Sequence, residues 1–320
     1  MTRIVNNCVA LVCLCLFWGQ SLRAADASHS EQIKWGNESV LNEEHNTLGF
    51  FSGVLGGQIV LAGGTSDDYS RWGRNAVCLS ENAGFALYEE LLSKPLAYGA
   101  SITLSDGILC IGGRDSSQCY EDVFFVTMQQ GKLNVSEDWP PLPFPLSNAA
   151  GALLDNKVYL FGGRKSVSPS RLSDSFFVLD LSNKSRGWKE LPGYPGCVRE
   201  DAILVVQNNG VSPCLYLLGG QTETEEGLSS CLTDGYVYNP QLGKWSSLGS
   251  DFPKGICAAV ASGANHILLF QKEPEDTQHL KKENTLWKYH TITQTLVKSE
   301  CIPGTYDTCL LYTSPSPRDS

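Results

Sequence analysis

Short apolar runs recur along the chain, and each is stopped by a pair of glycines. The runs at 59–62, 108–111, 158–161 and 215–218 lead into Gly63-Gly64, Gly112-Gly113, Gly162-Gly163 and Gly219-Gly220. The pairs lie 49, 50 and 57 residues apart. Continuous aliphatic and β-branched runs of this length, bounded by turn residues, predict strands buried on both faces. A polar loop follows each pair, then an aromatic strand such as Phe176-Phe177-Val178-Leu179 or Tyr236-Val237-Tyr238, then a tryptophan: Trp139, Trp188 or Trp245. Two units align without a gap at an offset of 50, with Leu96-Ala97-Tyr98-Gly99-Ala100 facing Leu146-Ser147-Asn148-Ala149-Ala150. Asp106-Gly107 and Asn156-Lys157 then fall between paired apolar runs, and Asp-Gly predicts a type I′ hairpin with positive φ at both residues.

Each unit therefore reads as four antiparallel strands. One such sheet cannot bury two apolar faces alone, but sheets packed radially can. Gly-Gly, an aromatic strand and Trp at about 50 residues per unit is the kelch pattern of an all-β propeller. Five units begin near Leu48, Leu96, Leu146, Val198 and Gly255. In the fifth, Ile267-Leu268-Leu269-Phe270 is followed by Gln271-Lys272 instead of Gly-Gly. Lys34-Trp35 reads as the outermost strand of a further blade, and Ile302-Pro303-Gly304-Thr305-Tyr306 as the start of its innermost one. A six-bladed parent with about five blades present is the expected architecture.

The two ends stand apart from the repeats. Arg3, an apolar stretch over residues 8–18 and Ala25-Asp26-Ala27 together predict a secretory signal peptide over residues 1–27. A periplasmic or secreted protein is expected. Residues 309–319 correspond to a sequencing adapter read through as protein, so residues 28–308 are expected to form the propeller and 309–320 to lie outside it. On this reading the chain is a C-terminally truncated fragment.

Thirty-one glycines, 15 prolines and only two methionines agree with short strands and turns. A net charge of −10 argues against a nucleic-acid surface, which needs clustered Lys and Arg. No apolar run is long enough for a transmembrane helix. The cysteines form no C-x-x-C, and Cys110 sits in an apolar run as a small core hydrophobe. The five histidines show no close ligand spacing, and neither a G-x-S-x-G nor a phosphate loop occurs, so no metal or cofactor is expected. Asn37, Asn134 and Asn183 begin N-x-S sequons.

The candidate chemistry lies in the loops after the glycine pairs, on the face where the channel opens. Arg114 and Arg164 hold the same position in neighbouring blades, directly after Gly113 and Gly163. Two guanidiniums there could clamp one carboxylate, or stand as separate solvated loop residues. Asp67, Asp68 and Arg71 lie on the equivalent loop of the first blade, and Arg199 and Glu200 precede the innermost strand of the fourth.

At these residues the chain resembles the cyclically permuted branch of the kelch-type sialic-acid mutarotases, the N-acetylneuraminate epimerases. The resemblance runs over roughly residues 48–303. It rests on Gln58-Ile59-Val60-Leu61-Ala62-Gly63-Gly64, Pro95-Leu96-Ala97-Tyr98-Gly99 and Cys110-Ile111-Gly112-Gly113. It implies a small sugar acid, N-acetylneuraminate, as ligand and interconversion of its anomers by acid/base ring opening. It also implies a proton-accepting Glu and a nearby Arg in a Gly-Glu…Pro-Gly-x-Arg loop, a motif that does not occur in this chain. In the permuted order that loop falls in the closing blade, so the fragment is expected to lack its catalytic residues. A non-catalytic exported propeller that binds a glycan or protein partner is the alternative reading. The oligomeric state is left open.

Overall fold

The computed structural model describes residues 10–13, 48–80, 84–224, 226–272, 285–301 and 308–311. Among them, five four-stranded sheets follow one another along the chain, each an antiparallel meander. The first blade comprises Leu48–Leu55, Gln58–Thr65, Ala76–Ser80 and Gly84–Tyr88. The second comprises Ala100–Thr103, Ile108–Ile111, Val123–Gln129 and Lys132–Ser136. Ala150–Leu154, Lys157–Phe161, Phe176–Asp180 and Lys189–Glu190 form the third. The fourth is Ile203–Asn208, Pro213–Leu218, Gly235–Asn239 and Lys244–Gly249. The fifth is Ile256–Ser262, His266–Gln271, Thr285–His290 and Thr295–Cys301. The molecule is a kelch-type β-propeller.

Burial explains the pattern of each strand. All four residues of Ile108–Ile111 are buried, because both faces of a second strand meet a neighbouring blade. The innermost Ala150–Leu154 alternates buried and half-buried positions, and the outermost Lys244–Gly249 is mostly exposed. Apolar clusters accordingly sit between blades. Phe51, Val60 and Cys78 pack with Ile108, Cys110 and Phe124 across the first interface. Phe161 and Phe176 pack with Leu215, Leu217 and Tyr238 across the third. The tryptophans lie at these seams: Trp245 is in the fourth strand of its blade, and Trp188 Nε1 donates to the Pro140 carbonyl of the preceding one at 3.0 Å.

The glycine pairs mark where one blade docks on the next. Gly113 N–H donates to the Leu146 carbonyl at 2.8 Å, and Gly64 N–H to the Leu96 carbonyl at 2.8 Å. Gly112 has φ of +63°, and a Cβ there would lie 2.2 Å from the Leu146 oxygen. Gly112→Ala should therefore cost about 2 kcal/mol or more, since backbone strain and a clash with a fixed carbonyl act together. Gly131→Ala is the control, because that glycine has φ of +74° but nothing within 4 Å. Chemical denaturation should show a clearly smaller loss for Gly131→Ala; equal losses would remove the docking contact from the explanation.

Two features differ from the sequence reading. The hairpin of the third blade turns at Asp155 and Asn156, with φ of 49° and 55°, one residue earlier than expected. In the second blade the turn closes through Leu104 N–H to the Gly107 carbonyl at 2.7 Å, and neither Asp106 nor Gly107 takes positive φ. Gly107 is required there by space instead, since a Cβ would meet Phe125 Cζ at 2.4 Å.

Ala10–Cys13 pairs in parallel with Thr308–Leu311, which runs beside Ile256–Ser262. Lys34-Trp35, Asn37 and the strand expected at 302–306 lie outside the described residues. No helix among the described residues is long and apolar enough to cross a membrane.

Candidate functional site

One position in four successive blades builds the floor of the site. Gly49, Tyr98, Asn148 and Asp201 all hold left-handed backbone, with φ of 67°, 60°, 54° and 52°. Tyr98 N–H donates to the Gly49 carbonyl at 2.7 Å, Asn148 N–H to that of Tyr98 at 2.6 Å, and Asp201 N–H to that of Asn148 at 3.0 Å. A hydrogen-bonded belt thus passes from blade to blade. Left-handed backbone is costly for non-glycine residues and is tolerated where surrounding structure enforces it. The belt residues line a cavity of about 640 Å³. Gly220, Gln221 and Cys231 of the fourth blade and Gly255, Ile256 and Lys272 of the fifth complete it, so all five blades contribute. A separate cavity of about 250 Å³ lies between the first two blades around Lys94 and Asp122, away from these residues.

The two equivalent arginines come to different ends. Both keep the same backbone bridge, Arg114 to Ala97 and Arg164 to Ser147. Arg164 Nε donates to Glu200 Oε2 at 2.8 Å, its Nη2 donates to Glu200 Oε1 and, at 3.1 Å, to Glu223 Oε1, and Nη1 donates to Ser170 Oγ. Ser170 also donates to Glu223. This clasp ties the hairpin of Arg164–Ser166 and Arg171–Leu172 to that of Gln221–Glu223 and Ser229–Cys231. Hydrogen bonding by Glu200, against the opposing effect of burial, raises the Arg164 pKa further and keeps it charged. Arg114 instead lies over the rings of Trp72 and Tyr98, 5.0 Å and 4.8 Å from their centroids. Tyr69 completes this aromatic wall, with its ring 6.5 Å from each of theirs. Among the described residues no carboxylate pairs with Arg114, and its side-chain hydrogen bond runs from Nη1 to the Asp115 carbonyl at 3.4 Å.

Asp201 sits where these groups meet. Asn148 Nδ2 donates to Asp201 Oδ1 at 2.8 Å. The side chain reaches the solvent of the cavity, yet protein surrounds it on the remaining sides, and this desolvation pushes its carboxyl up to about 6. The hydrogen bond from Asn148 opposes the rise, the charge on Glu200 adds to it, and Arg164 and Arg114 pull against it. Both arginines also act on the Cys119 thiol, which lies 3.4 Å from Ser147 Oγ.

The remaining sequence candidates fall in two places. Asp67, Asp68 and Arg71 lie on the exposed first-blade loop that carries Tyr69 and Trp72. Asp68 is occupied in shaping that loop: Ser66 Oγ donates to it at 2.5 Å and Ser70 Oγ at 2.8 Å, and these bonds hold its carboxyl down at about 2. Arg199 is wholly buried and turned into its blade. It donates to Asp234 through both Nη atoms at 2.7 and 2.8 Å, to the Gly219 carbonyl at 2.8 Å and to Tyr194 Oη at 2.8 Å. Glu200, its neighbour, faces the clasp. Sequence reasoning passed over Tyr98, Asn148 and Asp201, although the 50-residue alignment already matched the first two. Extending it to Glu200-Asp201-Ala202 would have added the third.

Residues 139–273 match the family model described as N-acetylneuraminate epimerase. In this segment the chain is similar to the N-acetylneuraminate epimerases. An N-acetylneuraminate epimerase of Yersinia pestis (strain Pestoides F) is 30% identical over 139 residues, 42% of this chain and 33% of that protein. One of Haemophilus influenzae (strain PittEE) is 31% identical over 131 residues, 41% of this chain and 32% of that protein. A kelch domain-containing protein of Vibrio cholerae is 30% identical over 141 residues, 43% of this chain and 36% of that protein. The chain thus matches about a third of the length of these curated relatives. The matched segment contains Asn148, Arg164, Arg199, Glu200, Asp201 and Glu223, whereas Tyr98, Trp72 and Arg114 precede it.

Proposed function

We propose that the chain binds N-acetylneuraminate at the channel mouth and belongs to a protein that interconverts the anomers of this sugar acid by opening and reclosing its ring. The observation that carries this reading is Arg114, a guanidinium held over the rings of Trp72 and of Tyr98, which lines the cavity, and paired with no carboxylate among the described residues. A sugar acid brings the fixed negative charge that such a group lacks. The aromatic wall of Tyr69, Trp72 and Tyr98 offers apolar area for a sugar face, and Asn148 and Asp201 offer polar partners for its hydroxyls. A cavity of about 640 Å³ is in the range that holds a small ligand. The match of residues 139–273 to the epimerase family supports the choice of sugar. The N-terminal segment supports a periplasmic or secreted setting.

The test is isothermal titration with N-acetylneuraminate together with NMR exchange between its α and β anomers. Saturable binding and exchange faster than in buffer are expected. Binding without acceleration would favour a non-catalytic propeller, and the absence of both binding and acceleration would overturn the reading.

A further inference from the structure

At one repeated position the segment that leads into a blade supplies an aromatic ring. Where the third blade docks on the second, Phe144 packs edge-on against Phe177, with centroids 5.4 Å apart and planes at 61°. Where the fourth docks on the third, Tyr194 packs in the same way against Tyr236, at 5.1 Å and 88°. Phe177 and Tyr236 are equivalent, since each pairs with the residue two before a glycine pair, Leu160 and Leu217. In the second blade Cys110 and Phe124 hold these places. The segment leading into that blade, aligned at the same offset of 50, carries Lys94 where Phe144 stands.

Lys94 does not fill the place of the ring. Its Nζ is drawn to Asp122, at 3.0 Å from Oδ1 and 3.1 Å from Oδ2, and lies 4.6 Å from the centroid of the Tyr120 ring. Asp122 in turn stands where the third blade has Ser175, because Gly112 N–H and Gly162 N–H donate to their carbonyls at 2.8 and 2.9 Å. What remains beside Phe124 is the cavity of about 250 Å³, walled by Leu92, Leu96, Val123, Val135 and Trp139. A dry apolar cavity of about 150 Å³ already holds a benzene ring. Three charged residues line this one: Lys94 and Asp122 neutralise each other, and Glu137 is exposed with no ion-pair partner among the described residues.

We propose that this cavity is a second binding site, for a small molecule that carries one aromatic ring and an ammonium group. The ring takes the place that Phe144 and Tyr194 fill at the next two junctions, against Phe124 and beside Trp139, where aromatic pairs gain more than their buried area alone. The ammonium answers the unpaired charge of Glu137. No residue that lines this cavity lines the one at the channel mouth, so the two sites are separate and this assignment does not rest on the sugar.

The probe is phenethylammonium, with phenylethanol and phenylacetate as its neutral and anionic counterparts, titrated into the full chain and followed by NMR saturation transfer. Saturable binding is expected, about two- to fivefold tighter for the ammonium than for the alcohol, as one exposed ion pair allows. N-acetylneuraminate should not displace it. Lys94→Phe combined with Asp122→Ser rebuilds the neighbouring junction from residues this chain already uses there. That variant should melt higher than wild type and bind phenethylammonium about tenfold more weakly or worse, because no apolar surface is left for the ring to cover. Glu137→Gln, an exposed change that leaves the packing alone, should remove the preference for the ammonium and keep phenylethanol binding. Wild-type protein that shows no saturable binding, a filled variant that binds as well as wild type, or displacement by N-acetylneuraminate would overturn the site. Equal binding of all three probes would overturn the ammonium as its ligand.

Discussion

Arg114→Ala should weaken N-acetylneuraminate binding by roughly 10- to 150-fold, the loss of one charge-assisted hydrogen bond worth about 1.5–3 kcal/mol. The physical reason is the difference between two arginines at one repeat position. Arg164 is neutralised by Glu200 and Glu223, with only 18% of its side chain exposed. Arg114 has rings beneath it and no carboxylate beside it among the described residues. Stacking holds the guanidinium plane without neutralising it, which leaves its edge donors for a ligand carboxylate. Arg114→Lys should recover only part of the affinity, because the planar fork and the stacking go together. Arg164→Ala should act by another route: Glu200 and Glu223 lose their counter-ion, and their charge then opposes an anionic ligand. Glu223→Gln added to Arg164→Ala should therefore restore part of the affinity, whereas added to Arg114→Ala it should restore little. Titration calorimetry across these variants decides the matter. Unchanged affinity in Arg114→Ala would place the carboxylate elsewhere.

The largest stability effect is expected at Arg199. Its side chain is fully buried and both terminal nitrogens bind Asp234, whose side chain is 22% exposed. Removing one partner of a buried pair leaves the other charge uncompensated, so Arg199→Ala should cost about 3–5 kcal/mol. The Gly219 carbonyl and Tyr194 hydroxyl would lose their donor as well. Replacing both Arg199 and Asp234 with apolar residues should recover much of the loss, because no orphaned charge then remains. The pair also sets an acid limb. Burial opposes ionisation of Asp234, but the hydrogen bonds and charge of Arg199 outweigh it and hold the carboxyl below its ordinary range. A depressed folded value means this stability is present above the unfolded carboxyl value of about 4 and is lost as pH falls through the folded one. Urea denaturation of wild type and Arg199→Ala at several pH values should show that part of the acid limb only in wild type. Parallel curves would mean the pair contributes no pH dependence.

Asp201 illustrates the opposite sign. Its carboxyl is raised to about 6, so the folded state holds a proton that the unfolded chain has released, and stability falls as pH rises from about 4 through 6. Asp201→Asn should accordingly melt higher than wild type at neutral pH.

The blade pattern was legible because its causes are local and repeated. An apolar second strand and a glycine pair recur where one blade docks on the next, and four glycine pairs write that need into the chain. Gly112 and Gly162 could be matched across 50 residues because each faces the backbone carbonyl of a following blade, at Leu146 and Arg199. The turns were less legible. Asp106-Gly107 satisfies the residue preference for a type I′ turn, yet the ring of Phe125 decides why glycine stands there.

The sequence by itself determined the class of fold, the number and order of these five blades, and the loops on which chemistry would be found. Strand periodicity and glycine punctuation act over a few residues and repeat, so they can be read without the fold. Which side chains face the cavity was decided only in three dimensions. Arg114 and Arg164 are indistinguishable by position in the repeat, but one meets Trp72 and Tyr98 while the other meets Glu200 and Glu223. Arg199 and Asp201 stand two residues apart, yet the left-handed backbone at Asp201 belongs to a belt at the cavity floor, while Arg199 turns inward to Asp234. The charged partners of Arg164 and Arg199 lie 35 to 59 residues away in sequence, and charge pairing across such separations leaves no periodic mark in the chain.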